Sequence, residues 1–340
     1  MTNLSVFEPA MRRALELAAL GPVYGVNPQV GALILDKDLN VIAEGFHKGS
    51  GTPHAEVDAL SKLTSVPAGS TAVVTLEPCN HTGRTGPCAQ ALISAGISRV
   101  VYATKDPGNE SANGAQTLKD AGVEVIFGVL EKEATEQGRI WLTAMQKQRP
   151  FITLKWAQTL DGRSAASDKT SKWITGAEAR EDVHLRRSQL DAILVGTGTV
   201  KYDNPDLTAR KPDGSRYEHQ PLRVVVGNSE LSPELRVFNG DAPTVHLKTH
   251  DLKDVLSQLW VRGTRHVLVE GGAEIASEFI QQGLFDEVLI YQAPLLLGGS
   301  NVAVTDIGID TMADALQLNF VEIKQLGADL FIRATPKGEK

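Results

Sequence analysis

His54-Ala55-Glu56, answered after a β-branched run by Leu76-Glu77-Pro78-Cys79 and then by Cys88, decides how the first half of the chain reads. One imidazole and two thiolates are soft ligands suited to zinc, and a catalytic zinc keeps one coordination position open for water. Glu56 sits two residues after the histidine, where a helix start would hold its carboxylate beside that water instead of on the metal. A lone histidine is more often a satisfied surface or core residue, and a lone glutamate a solvated helix carboxylate. The four residues together are poorly explained that way. The chain has two cysteines, both in this pattern. A disulfide between Cys79 and Cys88 is the alternative, but two cysteines in zinc spacing suit a reducing compartment.

The flanking sequence places these residues on regular elements. Thr71-Ala-Val-Val-Thr-Leu76 is an apolar, β-branched run that reads as a buried strand leading into Pro78-Cys79. Residues 55–63 carry Ala59, Leu60 and Leu63 on one helical face, so His54 and Glu56 fall at a helix start. Residues 88–95 read as a second helix, closed by Gly96 at a C-cap position. A helix N-terminus carries positive potential, which favours a thiolate. Further out, residues 7–20 repeat apolar side chains at helical spacing and end at Gly21-Pro22. Residues 31–35 and 41–45 read as strands joined by a polar turn, and 99–103 and 123–129 as two more, with a helix at 115–121 between them. This order predicts a three-layer α/β/α sandwich.

Residues 131–148 read as a long helix that exits at Lys147-Gln148-Arg149-Pro150. We place a domain boundary there, giving domains 1–147 and 148–340. The second half is again α/β. Residues 192–195, 223–226, 244–247, 266–269 and 287–291 are strand-like runs, separated in places by helical segments at 178–189, 252–260 and 275–282. Two late strands, 316–325 and 330–334, form a closing hairpin around Gly327. Gly271-Gly272 after a strand, and Gly196-Thr-Gly-Thr199 likewise, would let backbone N–H groups approach a pyrophosphate at a helix start. Taken alone, each is more often a mere tight turn.

At 340 residues the chain is long enough for two cores. Its 42% apolar and 22% charged content is ordinary for a globular protein. A net charge of −7 argues against a nucleic-acid partner, which would call for a basic face. No apolar run approaches the roughly 20 residues of a membrane span, and the first residues show no secretory pattern. The expectation is a cytoplasmic protein that meets neither membrane nor nucleic acid.

His54-x-Glu56 with Pro78-Cys79 is also the signature of nucleobase deaminases, in which the second cysteine follows more closely. The longer loop here, Asn80-His-Thr-Gly-Arg-Thr-Gly-Pro87, resembles the deaminase half of the bifunctional riboflavin-biosynthesis deaminase/reductases. Asn27-Pro28-Gln29-Val30-Gly31 resembles the same family's substrate-side loop, with Val26 in place of a proline. The second half resembles the family's reductase half. It does so over Lys155-Trp-Ala-Gln-Thr-Leu-Asp-Gly-Arg163, Ser171-Lys-Trp-Ile-Thr-Gly176, Ala179-Arg-Glu-Asp-Val183 and Asp191-Ala-Ile-Leu-Val-Gly-Thr-Gly-Thr-Val200. It continues over Asp203-Asn-Pro-Asp-Leu-Thr208, Val269-Glu-Gly-Gly272 and Ala293-Pro-Leu-Leu-Leu-Gly-Gly299. Together the two resemblances span nearly the whole chain, in the family's order.

The resemblance implies a cytidine-deaminase-like domain followed by a dihydrofolate-reductase-like one. It implies hydrolytic deamination of 2,5-diamino-6-ribosylamino-4(3H)-pyrimidinone 5′-phosphate, then NADPH-dependent reduction of the ribosylamino product to a ribitylamino compound. His54, Cys79 and Cys88 would hold Zn2+, and Glu56 would move the proton as general base and acid. Arg84 would clamp the substrate's phosphate, as a guanidinium suits it, although an exposed loop arginine is the alternative. Asp106 would contact the substrate, in a loop whose Asn109 is displaced from the family's pattern. In the second half Ala157, Trp173, Thr199, Asp203 and Gly272 would face NADPH. Ser171, Arg187, Leu207, Arg210 and Glu270 would face the substrate, the two arginines at its phosphate. Trp173 as plain core is the alternative for that residue. Lys155 and Asp161 would border the site. The family further implies a homo-oligomer. The competing readings are a nucleoside- or tRNA-directed deaminase, which the acidic charge and long inter-cysteine loop oppose, and a zinc-stapled scaffold, which would require a fourth protein ligand.

Overall fold

Gly31–Leu35 (β1) is buried along its whole length. Its unbroken apolar run is what a central strand covered on both faces requires. It forms an antiparallel hairpin with Val41–Phe46 (β2) and pairs antiparallel on its other side with Thr71–Leu76 (β3). Arg99–Thr104 (β4) and Glu124–Phe127 (β5) extend the sheet in parallel, giving the order β2-β1-β3-β4-β5. The computed structural model describes residues 4–81, 86–108 and 111–338, and it divides into two units, Met1–Gln148 and Arg149–Lys340.

The helices of the first unit are Glu8–Ala18 (α1), Ala55–Leu60 (α2), Cys88–Ser94 (α3), Gly114–Asp120 (α4) and Glu131–Lys147 (α5). Side chains alternate across a strand, so each strand serves two layers. Leu33, Leu35, Val73 and Val101 meet Met11 and Ala14 of α1 and Ala134 of α5. Ala32, Ile34, Val74 and Val100 meet Ala55, Ala59, Leu92 and Leu118 from α2, α3 and α4. That is the expected α/β/α sandwich. The α2 helix stops at Leu60 rather than 63, because Lys62 N and Leu63 N donate to carbonyls three residues back and tighten the last turn. The fifth strand is shorter than expected, since Gly128 and Leu130 take positive φ and turn the chain.

In the second unit the strands are Phe151–Thr159 (β6), Ala192–Gly196 (β7), Leu222–Val226 (β8), Thr244–Leu247 (β9), His266–Val269 (β10), Glu287–Ala293 (β11), Leu318–Leu326 (β12) and Asp329–Pro336 (β13). They form one sheet in the order β12-β13-β11-β6-β10-β7-β8-β9, parallel from β11 to β9 and antiparallel in the closing hairpin. Its helices are Ala177–Arg187 (α6), Thr197–Asp203 (α7), Leu252–Val261 (α8) and Ala273–Gln281 (α9). The Gly196-Thr-Gly-Thr stretch is the start of α7, a helix that its glycine and β-branched residues conceal. No helix among the described residues is long and apolar enough to cross a membrane.

The seat of α1 on β1 depends on Gly31. A Cβ there would lie 1.9 Å from the Ala14 carbonyl oxygen and 2.8 Å from Ala18 N. Gly31→Ala is expected to lose about 2–3 kcal/mol by urea denaturation, because backbone has to move. An unchanged midpoint would mean that α1 is not seated there.

Candidate active site

Three separate segments deliver the metal-binding side chains. His54 is the residue that caps the start of α2, Cys79 follows β3 after one turn, and Cys88 opens α3. Glu77 fixes the turn: its backbone N donates to Thr104 O, and its carboxylate accepts from Ala115 N at the start of α4. Within this frame His54 Nδ1 lies 3.2 Å from Cys88 Sγ and 3.5 Å from Cys79 Sγ. The three ligand atoms lie within 4.8 Å of one another. Two ligands of one tetrahedral zinc, with bonds of about 2.1 and 2.3 Å, stand roughly 3.5 Å apart, so the donor set fits that ion. Cys88 N points at Cys79 Sγ at 3.4 Å. The Cys88 thiol and His54 both stabilise a Cys79 thiolate, whose pKa is drawn down to about 4, while the Cys88 thiol that shares its proton is pushed up.

Glu56 stands beside these ligands without joining them. It is 4% exposed, its carboxylate reaches the Cys88 sulfur, and burial raises its pKa. Burial that disfavours the charged form makes this carboxyl readier to take up a proton, which a general base and acid needs. The α2 start is held against β2 by Asp58, whose carboxylate accepts from Phe46 N and pairs with Lys48 and Lys62. His47 lies edge-on to His54 at 5.4 Å between ring centroids, with one ring nitrogen on Pro53 O and the other on Asn27 Nδ2. The buried Nδ1 of His81 has no partner among the described residues. Sequence reasoning assigned no role to His47, because a histidine after a strand has no pattern to mark it. Asp106 is buried, with Gly108 N donating to its carboxylate at 2.8 Å, and burial raises its pKa. Arg84 and Asn109 lie outside the described residues.

In the second unit the predicted residues gather into two groups at the C-terminal ends of parallel strands, where α/β sheets bind ligands. Around β10 and α6, Glu270 accepts from Arg187 Nε at 2.7 Å and Nη2 at 2.8 Å, with Lys155 Nζ at 3.5 Å. Arg187 also donates to Thr208 O. Thus Arg187 and Glu270, both expected to face the substrate, are bound first to each other. Burial would raise the Glu270 pKa, but Arg187 and Lys155 outweigh it and bring it to about 2. His184 beside them is pulled down to about 4 by burial and by Arg187 and Arg210. Arg210 donates to Asp206 and Thr208 Oγ1 and remains partly exposed. Leu207 is buried with φ at 57°.

The second group lies where β7 and β10 give way to α7 and α9: Gly272 N donates to Thr199 Oγ1 at 3.0 Å. Asp203 ends α7, and its carbonyl accepts from Lys172. Ala157 and Ser171 are half-buried on β6 and the following loop. Trp173 is 68% exposed under the Arg180 guanidinium, so it is not core. Asp161 accepts from Leu297 N and Gly298 N, tying the β6 turn to the Pro294–Gly299 segment.

A sandwich that converges one histidine, two cysteines and a buried, unligated glutamate defines a zinc-dependent deaminase unit, here on one chain with a parallel-sheet ligand-binding unit. The profile of the cytidine and deoxycytidylate deaminase zinc-binding region matches residues 5–104, and that of the RibD C-terminal domain matches residues 150–332. The chain belongs to the RibD family of riboflavin-biosynthesis proteins, in which a deaminase domain is joined to a pyrimidine reductase domain. Riboflavin biosynthesis protein RibD of Mycobacterium tuberculosis strain H37Rv is 45% identical over 306 residues, covering 90% of each chain. The solved structure of Acinetobacter baumannii RibD, form 1, superposes with a TM-score of 0.90 at 37% identity, covering 99% of this chain and 100% of the other. The Thermotoga maritima diaminohydroxyphosphoribosylaminopyrimidine deaminase/5-amino-6-(5-phosphoribosylamino)uracil reductase gives 0.84 at 34% identity, covering 98% and 99%.

The Glu270–Arg187 pair makes a prediction about acid. The folded pKa of Glu270, about 2, lies below the ordinary 4.5, so its stabilisation is complete above that value and is lost as pH falls towards 2. Glu270→Gln is expected to be about 3 kcal/mol less stable than the native chain at pH 7. Urea titrations should show the gap closing between pH 4.5 and pH 2; a constant gap would contradict the pairing.

Proposed function

We propose that the first unit hydrolytically removes an amine from 2,5-diamino-6-ribosylamino-4(3H)-pyrimidinone 5′-phosphate, and that the second reduces the resulting 5-amino-6-ribosylaminouracil 5′-phosphate with NADPH. The observation that carries the reading is the separation of roles around His54, Cys79 and Cys88. Three donors converge on one point, and Glu56 is buried beside them rather than among them. A purely structural zinc would use a fourth protein ligand. Zinc, when bound, supplies a water acidified towards neutrality. Glu56 takes the proton of the attacking water, passes it to the pyrimidine ring nitrogen and then delivers a proton to the departing ammonia. Asp106, buried in the segment after β4, orients the substrate, and Arg84 meets its phosphate.

In the second unit NADPH supplies the hydride. Gly272, Thr199, Asp203, Ala157 and Trp173 face it. Support comes from the bond between Gly272 N and Thr199 Oγ1, which joins two helix starts where a pyrophosphate would be met by backbone N–H groups. Ser171, Leu207, Arg210, Arg187 and Glu270 face the pyrimidine. Arg210 meets the 5′-phosphate, because the Arg187 guanidinium is held by Glu270. Residues 1–147 therefore carry deamination and 148–340 reduction. The chain works in the cytoplasm, as a homo-oligomer, on a small phosphorylated pyrimidine and without a nucleic-acid or membrane partner.

Ammonia release and NADPH oxidation, followed separately on the diaminopyrimidinone phosphate, test the reading: ammonia should come first and oxidation follow. Neither signal from zinc-loaded protein would refute it. Glu56→Gln should keep its zinc and lose deamination by about 10²–10⁴-fold. Reduction of the deaminated substrate should be unchanged. Cys79→Ser should lose both zinc and deamination while reduction persists, and loss of both activities would refute the division into independent domains.

A further inference from the structure

Asn27-Pro28-Gln29-Val30-Gly31 resembles a substrate-side loop, and Val26 before it stands where the family's pattern has a proline. A proline locks φ at about −65° and takes freedom from a loop before any contact forms. Valine supplies no such restraint, yet the loop has to be placed accurately. Val30 O accepts from His47 N, and Asn27 Nδ2 lies 2.9 Å from His47 Nε2. The other ring nitrogen of His47 is 3.1 Å from Pro53 O, and the ring stands edge-on to His54. A shift of the loop at Asn27 is therefore passed through one side chain to a metal-binding residue.

The hold on this loop comes from the last helix of the unit. Gln137 and Trp141 stand one helical turn apart on α5, so they share a face. Gln137 Nε2 donates to Leu15 O in α1 at 3.0 Å, and Trp141 Nε1 donates to Val26 O at 2.9 Å. The Trp141 ring packs against the core that holds Ala32, Val74 and Val100, so its N–H is carried on a fixed platform. The loop itself is not tightly packed on α5. Pro28 and Gln29 line a cavity of ≈ 20 Å³ whose other walls include Thr75, Gln137, Gly138 and Trp141. Packing alone therefore leaves the loop room to move, and the indole bond falls on the residue where the proline is missing. The net worth of one hydrogen bond and the restraint of one proline are of the same order.

We propose that Trp141 is a positioning residue for deamination. Its indole N–H, through Val26 O, keeps the Asn27 amide on His47 and so keeps the His47 ring against His54. It does in this chain what the proline does in the family's pattern. The proposal rests on the reading of the first unit as a deaminase. A loop that is in place for only a fraction of the time lowers apparent affinity by that fraction, and saturating substrate restores the rate. The role of Trp141 therefore shows in KM and not in kcat.

The test is ammonia release from the diaminopyrimidinone phosphate by the full-length, zinc-loaded chain, with KM and kcat measured separately. The native form is compared with Trp141→Phe and with Trp141→Phe/Val26→Pro. Phenylalanine keeps an aromatic ring on the core and removes the donor. In Trp141→Phe, KM should rise about three- to tenfold, the effect of one lost hydrogen bond, while kcat and zinc content stay close to native. The added proline should return KM to within about twofold of native, because it restrains the same residue and Gly25 before it has no Cβ to oppose the ring. Amide hydrogen exchange over residues 21–30 should quicken in Trp141→Phe and slow again in the double variant. A native KM in Trp141→Phe would overturn the proposal. So would a raised KM that the proline leaves unrepaired, which is what a packing role predicts. A Trp141→Phe chain that fails to fold with or without the proline would likewise assign Trp141 to packing and overturn it. A native chain that releases no ammonia would overturn the deaminase reading and this proposal with it.

Discussion

Two sulfurs and one imidazole nitrogen have to reach a common point from three places in the chain, and the first unit is organised to satisfy that demand. The parallel β3–β4 pair delivers Glu77 and Cys79 to one end of the sheet. The starts of α2 and α3 deliver His54 and Cys88 to the same end. Neither helix is long, so neither is stable alone, and each is held by its contact with the sheet. Ala55, Ala59, Ala89 and Leu92 provide that contact. The small residues let helix and sheet approach closely enough for ligand atoms on different elements to come within van der Waals reach. A core built from larger side chains at these points would hold the same residues too far apart to share an ion.

The second unit solves a different electrostatic problem, which is how to keep charge inside an α/β core. Glu270 is buried and would be costly if ionised alone, so Arg187 grips it with two parallel hydrogen bonds and Lys155 stands close. Arg223 is buried completely, and its guanidinium is met by the carbonyls of Asp206, Arg236, Asn239 and Ala242 and by the Asn239 side chain. Burial lowers its pKa, and these acceptors are what make the position tolerable. The first arrangement orders residues at the C-terminal end of β10, and the second ties together the segments that lead into β8 and β9.

How much of this was legible in the chain depended on how local the contact is. His54, Glu56, Cys79 and Cys88 were legible because few residue types bind zinc and these lie close in sequence. The sandwich followed from alternation of period two and helical repeats of period 3.6. The partnership of Arg187 with Glu270 was not legible, since 83 residues separate them and no periodicity connects a helix end to a strand end. His47 and Asp58 were missed for the same reason, as the β1–β2 hairpin and the α2 start bring them together only in three dimensions. Arg223 read as the first residue of a β-branched strand, and nothing in its neighbours signals that its side chain points inward. The start of α7 was hidden by residues that favour turns and strands.

The order of strands in the second sheet also has a consequence for how the chain is made. The first strand of that unit, β6, lies between β10 and β11, and its residues hydrogen-bond with groups 113 and 134 positions further on. In the first unit, by contrast, β1 pairs with the two strands that come next. A ribosome releasing this chain therefore presents a sheet that closes early, followed by an apolar strand without neighbours until most of the remaining chain has emerged. Long-range pairing of this kind is slow and exposes sticky surface while it waits. The Phe151–Thr159 segment is thus an apolar strand that waits for distant partners, whereas β1 of the metal-binding half meets its own soon after it emerges.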